Sequence, residues 1–181
     1  MSVTGHNPGV RHPDDFYATP PWATLAILKY LPRFRRAFDP CAGDGAILKT
    51  LRDFYRRSIE VYGIELDKER AQAANVSQAD ALQEEWCPTP DLVITNPPYK
   101  LATEFVQRAL IEVVPGGTVA MLMRLNWLAS QKRAAFLREN TPSVYVLPKR
   151  PSFTGKGTDA CDYAWMVWGS KPLPTVTILD V

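Results

Sequence analysis

The chain has few of the residues that would make it a metal-binding or disulfide-stapled protein. Its 181 residues include three cysteines, Cys41, Cys87 and Cys161, and two histidines, His6 and His12. An odd cysteine count with no Cys-x-x-Cys spacing argues against a disulfide framework and against structural zinc, so no metal is expected. No apolar run is long enough to span a bilayer, and residues 1–10 carry no signal-peptide pattern, so a soluble intracellular chain without a membrane partner is expected. An excess of one charge is lacking too. Lys and Arg number 21 against 19 Asp and Glu, a net charge of +2 that permits a polyanionic partner without demanding one. There is no internal repeat and no low-complexity tract.

What the chain has is apolar periodicity. Hydrophobic residues make up 46% of it, enough at this length for a single well-buried core. Residues 1–15 read as a flexible leader in which the histidines have no assigned role, and residues 16–181 as one domain. Pro20 and Pro21 open a helix over 22–31, with Thr19 as its N-cap. Strands are predicted over 36–40, 59–66, 76–79, 92–95 and 118–124, with helices over 47–56, 68–75, 101–114 and 130–139. Two further strands, 143–147 and 160–168, have no helix between them and read as an antiparallel hairpin with a long loop at 148–158. The fold class expected is α/β: a doubly wound, mostly parallel sheet of seven strands ending in that hairpin. Trp22, Trp86, Trp127, Trp165 and Trp168 mostly lie in apolar periodic contexts and are expected to pack rather than to bind.

The first strand runs into Phe38-Asp39-Pro40-Cys41-Ala42-Gly43-Asp44-Gly45, where glycines let a ligand approach the backbone closely. This is not the dinucleotide fingerprint, because Leu48 stands where its third glycine would be. Asp39 and Asp44 would also repel a pyrophosphate. An acidic turn instead suits a cationic ligand, such as the sulfonium and amino groups of S-adenosylmethionine. Glu65, about twenty residues on at the end of the second strand, is placed to accept from two ribose hydroxyls. Asp80, after the short third strand, is placed to accept from an adenine amino group. Leu66 and Ala81 are counted with their neighbours in the same crevice. Cys41 is read as a packing residue rather than a nucleophile.

In the segment Asp91-Leu92-Val93-Ile94-Thr95-Asn96-Pro97-Pro98-Tyr99, a buried strand drives into a rigid loop. The two prolines fix their own φ and push Asn96 and Pro97 toward extended backbone, so the Asn96 side chain and the Pro97 carbonyl can be aimed together. Two acceptors and one aromatic face suit an exocyclic NH2 whose lone pair is delocalised into a ring or carbonyl. Each acceptor takes one N–H and draws the nitrogen toward sp3 geometry, while Tyr99 stacks on the ring. Asparagine cannot titrate as a base, so the chemistry is orientation plus stabilisation of a transient cationic amine. The plain alternative is a Pro-rich turn after a strand.

Together these segments resemble the class I S-adenosylmethionine-dependent methyltransferases, most closely the DNA adenine-N6 branch. The resemblance covers about residues 16–168. It rests on the Asp39–Gly45 turn, Glu65, Asp80 and the Asn96-Pro97-Pro98-Tyr99 loop, joined by Phe16-Tyr17-Ala18-Thr19-Pro20-Pro21. What the resemblance implies is a Rossmann-like methyltransferase fold using S-adenosyl-L-methionine. Its cofactor residues would be Tyr17, Thr19, Pro20, Asp39, Pro40, Cys41, Ala42, Gly43, Gly45, Glu65, Leu66, Asp80, Ala81 and Asn96. Asn96, Pro97, Pro98 and Tyr99 would be catalytic.

The substrate would be DNA carrying a flipped or single-stranded adenine, packed between Tyr99 and Phe153, with Lys149, Arg150 and Lys156 on phosphates. Larger members of the family carry a separate target-recognition domain, which this chain is not expected to have. In that respect it resembles compact phage and prophage methyltransferases, which implies a cytoplasmic location in a bacterial or phage-infected cell. A homodimer or a separate recognition partner is left open. Cytosine-N4, RNA adenine-N6 and protein glutamine-N5 methylation remain as rival readings, and a non-catalytic nucleic-acid-binding module as a rival of another class.

Overall fold

A computed structural model of the chain describes residues 17–56, 58–153, 160–169 and 175–181. Eight strands form one sheet in the order β3-β2-β1-β4-β5-β7-β6-β8. They are β1 (Arg36–Asp39), β2 (Glu60–Glu65), β3 (Ser77–Gln78), β4 (Leu92–Thr95), β5 (Thr118–Arg124), β6 (Ser143–Val146), β7 (Tyr163–Gly169) and β8 (Val176–Ile178). The α-helices are α1 (Pro21–Leu28), α2 (Ala46–Tyr55), α3 (Lys68–Ala74), α4 (Ala102–Glu112) and α5 (Ala134–Glu139). The five strands β3, β2, β1, β4 and β5 run parallel, and β7 is inserted antiparallel between β5 and β6.

β4 and β5 are almost unbroken apolar runs because both faces of the sheet are covered. Leu92 and Ile94 point to the layer that holds Ile27 of α1 and Leu51 of α2. Val93 points the other way, toward Phe105 and Val106 of α4. Trp165 on β7 is 0% exposed, and its indole N–H donates to the Ala23 carbonyl at 2.7 Å, tying α1 to the sheet. Trp165→Ala is therefore expected to cost about 3–5 kcal/mol of stability, read as a lowered urea midpoint at unchanged m-value. Trp86, Trp127 and Trp168 are buried as well, whereas Trp22 is half-buried with the Lys149 ammonium 4.6 Å above its ring.

Three expectations are corrected. An eighth strand, β8, pairs parallel to β6 beyond the predicted hairpin. The helix predicted over 130–139 is a 3-10 turn, Gln131–Arg133, followed by the six residues of α5. Thr19 does not cap α1: Pro20 occupies the N-cap position without a side-chain bond, Pro21 begins the helix, and the Thr19 hydroxyl is engaged elsewhere. The leader, Phe16 and Lys156 lie outside the described residues. Among the described residues no helix is long and apolar enough to cross a membrane.

Candidate functional site

The order in which strands are added reverses at β1, whose parallel neighbours are β2 on one side and β4 on the other. A crevice opens beyond the carboxyl ends of parallel strands at such a switch point. Asp39, Glu65, Thr95 and Arg124 are the last residues of β1, β2, β4 and β5, so four polar side chains are delivered to one edge.

After β1 the chain turns through Gly43 at φ 57° and Gly45 at φ 81°, a region costly for side-chain-bearing residues, and Gly45 sits at the N-cap of α2. The missing third glycine has a structural counterpart. A Cβ on Gly63 of β2 would lie 2.8 Å from Leu48 Cδ1 and 3.0 Å from the Asp39 carbonyl, so strand and helix approach through a glycine on the strand instead. Asp39 is buried; its Oδ1 accepts the Cys41 N–H at 3.0 Å, while Oδ2 has no hydrogen-bond partner. Burial raises the Asp39 carboxyl to about 7, opposed by the Cys41 amide and by the Thr95 hydroxyl, which acts from outside hydrogen-bonding geometry. Burial also pushes the Cys41 thiol well up, which suits an inert packing residue.

Glu65 ties β2 to this turn. Its Oε2 accepts the Gly43 N–H at 2.8 Å, and its Oε1 accepts the Asp67 N–H at 3.0 Å and Arg70 Nε at 3.3 Å. A carboxylate has about four acceptor sites, so roughly one remains for a ligand hydroxyl. Asp67 caps α3 by accepting the Arg70 N–H, and exposed Asp80 accepts the Leu82 N–H at 3.0 Å.

At the end of β4 the Asn96 amide is held from the other side of the crevice. Its Nδ2 donates to the Tyr17 carbonyl at 3.2 Å and to Thr19 Oγ1 at 3.1 Å, whereas its Oδ1 is buried without a partner. Tyr17 also stacks on Tyr99, with ring centroids 6.0 Å apart and planes 20° from parallel. Its ring lies 5.5 Å from that of Phe153, and Tyr163 packs against both Tyr99 and Phe153. The Arg124 guanidinium lies 4.4 Å from the Tyr99 ring centroid and donates from Nε to the Tyr163 hydroxyl at 3.1 Å. Four aromatic rings and the Arg124 guanidinium therefore cluster at Tyr99, three residues beyond Asn96.

A cavity of about 530 Å³ fills the crevice, a size suited to a cofactor. Tyr17, Thr19, Asp39, Pro40, Cys41, Ala42 and Gly43 line it. Glu65, Leu66, Asp80, Ala81, Asn96 and Pro98 complete the predicted residues on its wall. Pro20, Gly45, Pro97 and Tyr99 are not on that wall: Gly45 serves the turn into α2, and Tyr99 turns its ring toward Tyr17. Lys149 lies over Trp22 and Arg150 pairs with Asp162 at 2.8 Å, so both cations already have protein contacts.

Sequence reasoning missed Arg70, Leu82 and Phe105 on the cavity wall, and Arg124 and Tyr163 beside Tyr99. Arg124 carried a signal, as the lone charge closing the apolar run of β5. Tyr163 carried none, because it reaches Arg124 only through the register of β5 and β7.

No family model matches the chain, and no curated protein matches it either. Solved structures do. A Listeria monocytogenes protein described as a class I S-adenosylmethionine-dependent methyltransferase is 16% identical, with a TM-score of 0.68 over 96% of this chain and 67% of its own. The methyltransferase subunit of a type I restriction-modification system from Streptococcus thermophilus is 19% identical, with a TM-score of 0.70 over 90% of this chain and 47% of its own. The M protein of the type I restriction enzyme EcoKI is 18% identical, with a TM-score of 0.64 over 86% of this chain and 44% of its own. The chain thus spans less than half the length of the two restriction-system proteins. At these identities the likeness concerns architecture, and by architecture the chain has the fold of the class I S-adenosylmethionine-dependent methyltransferases.

Proposed function

We propose that the protein transfers the methyl group of S-adenosylmethionine to an exocyclic amine, and that the amine is N6 of adenine in DNA. The observation that carries this reading is the meeting, at one cavity, of two unpartnered buried oxygens of different character. Both residues line the cavity, and a carboxylate oxygen, Asp39 Oδ2, suits a cation, whereas an amide oxygen, Asn96 Oδ1, suits an N–H donor. Asp39 would receive the cofactor's ammonium group, and Glu65 would keep its remaining acceptor site for the ribose. Leu66 at 67% exposed, with Ala81, Leu82 and Phe105, gives apolar surface for the adenine ring beside the Asp80 carboxylate. When bound, the cofactor supplies an electrophilic methyl on a cationic sulfur.

The chain's own residues then orient the amine. Asn96 Oδ1 and the Pro97 carbonyl would each accept one N–H, localising the lone pair, and the carbonyl dipoles with the Tyr99 face would stabilise the positive charge that develops on nitrogen as the methyl–sulfur bond breaks, until the extra proton is lost to water. A base reaching Tyr99 has to take the place of the Tyr17 ring now stacked there. Tyr99 and Phe153, which flank that place, and Tyr163, which packs against both, favour a planar nucleobase over the flexible side chain of a protein glutamine. Adenine in DNA is preferred over its rivals on the Asn-Pro-Pro-Tyr loop and on the fold shared with proteins described as restriction-system methyltransferases.

Incubation with methyl-labelled S-adenosylmethionine and separate DNA, RNA and protein pools tests the substrate class. Label entering DNA is expected. Label confined to protein would remove the nucleobase, and calorimetry showing no cofactor binding would remove the enzyme. Tyr99→Ala is expected to weaken the complex with a single-stranded adenine oligonucleotide by about 1–3 kcal/mol. Tyr99→Phe should keep most of the affinity; equal losses in both variants would assign the effect to the hydroxyl instead of the ring.

A further inference from the structure

An asparagine amide offers an acceptor at a given point in only one of its two orientations. Turning it over exchanges Oδ1 with Nδ2, which match in shape and oppose each other in hydrogen bonding. Something must therefore select the orientation that the proposed reaction needs.

The selecting groups come from the segment ahead of α1. The Tyr17 carbonyl can only accept, and it lies 3.2 Å from Asn96 Nδ2. With the amide turned over, Oδ1 would sit against that carbonyl, two acceptors in contact. Thr19 Oγ1, on a residue only 4% exposed, takes the second Nδ2 proton at 3.1 Å. Both donor positions of the amide are thereby used, and Oδ1 is the one hydrogen-bonding atom of the side chain without a partner, on a residue that lines the cavity. We propose that Thr19 is a positioning residue: with the Tyr17 carbonyl it clamps the Asn96 amide so that Oδ1 faces the substrate amine. The proposal rests on the amine-methylation reading and assigns it a residue that acts through Asn96. It also explains why Thr19 does not cap α1, its hydroxyl being committed across the crevice to the end of β4.

Thr19 lines the cofactor cavity as well, so the test must separate an effect on Asn96 from one on the cofactor. Thr19→Val keeps the branched shape and removes the acceptor, and Thr19→Ser keeps the acceptor. Steady-state methylation of DNA is measured alongside calorimetric affinity for S-adenosylmethionine. Thr19→Val is expected to lower kcat by about ten- to a hundredfold with cofactor affinity nearly unchanged, and Thr19→Ser to restore most of kcat. A loss confined to cofactor affinity, or a kcat equal to that of the unaltered protein, would overturn the proposal.

A second readout needs no turnover. The Asn96 side-chain amide protons, followed by NMR in the ligand-free protein, are expected to exchange faster with water in Thr19→Val than in Thr19→Ser; unchanged exchange would also overturn it. Should the unaltered protein methylate no amine, the functional reading fails by itself, and the amide exchange still decides whether the clamp exists.

Discussion

Asn96→Ala is expected to lower the rate of methyl transfer by about 10²–10³-fold, the cost typical of deleting one directed hydrogen-bonding group at a reacting centre. Cofactor affinity should change little, because the amide's own bonds run to Tyr17 and Thr19 and, on the proposed reading, its unpartnered oxygen takes the substrate amine. Single-turnover transfer from pre-bound labelled cofactor measures the first quantity and calorimetry the second. Comparable losses in both would show that Asn96 builds the cofactor site and does not act on the amine. Alanine also frees the Thr19 hydroxyl and the Tyr17 carbonyl, so some local loosening is expected. Asn96→Gln supplies the control: it keeps an amide but moves the acceptor by one methylene, and its rate should fall nearly as far with the donor chemistry intact.

A pH-dependent cofactor affinity that vanishes in Asp39→Asn is the second large effect expected. Burial holds the Asp39 carboxyl at about 7, so near pH 6 most molecules carry it protonated and present no anion to a cation. Affinity for S-adenosylmethionine should rise as pH increases toward 7 and level off above it, with up to about a tenfold change per pH unit on the acid side. The asparagine variant should bind more weakly above pH 7 and show a flat profile through this range. A sloping profile that survives the substitution would place the titration on another group. The same carboxyl affects stability in the opposite sense. Its folded value lies above the ordinary carboxylate value of 3.8, so the folded state holds the proton more tightly. Its contribution is full below about 4 and is lost as pH rises through about 7. Asp39→Asn should therefore be relatively more stable than the parent at pH 8 than at pH 4, measured as denaturation midpoints.

These two positions show how far the chain can be read before folding. Leu92 to Thr95 is legible because a strand buried on both faces has to be apolar throughout, and Asn-Pro-Pro ends it chemically as well as sterically. The Asp39–Gly45 turn is legible because positive φ requires glycine at two nearby positions. β8 is not. Its Val176 and Ile178 are 61% and 60% exposed, so pairing with β6 leaves no burial pattern in the side chains. The Thr19 hydroxyl misleads for a related reason: Thr before Pro-Pro reads as a local helix cap, whereas its partner lies 77 residues away. Glu65 was readable as a strand-end acid, but the Gly43 amide and Arg70 that share its carboxylate depend on how the turn and α3 close around it. Local chemistry predicts what a residue can bond; the fold chooses which of those bonds is made.

The most direct measurement is nucleoside analysis of DNA methylated with labelled S-adenosylmethionine, digested completely and resolved against standards. Label in N6-methyldeoxyadenosine, entering about 10²–10³-fold more slowly when Asn96→Ala replaces the parent protein, is the predicted result. Label in N4-methyldeoxycytidine, in a ring carbon, or in no nucleoside at all would contradict it.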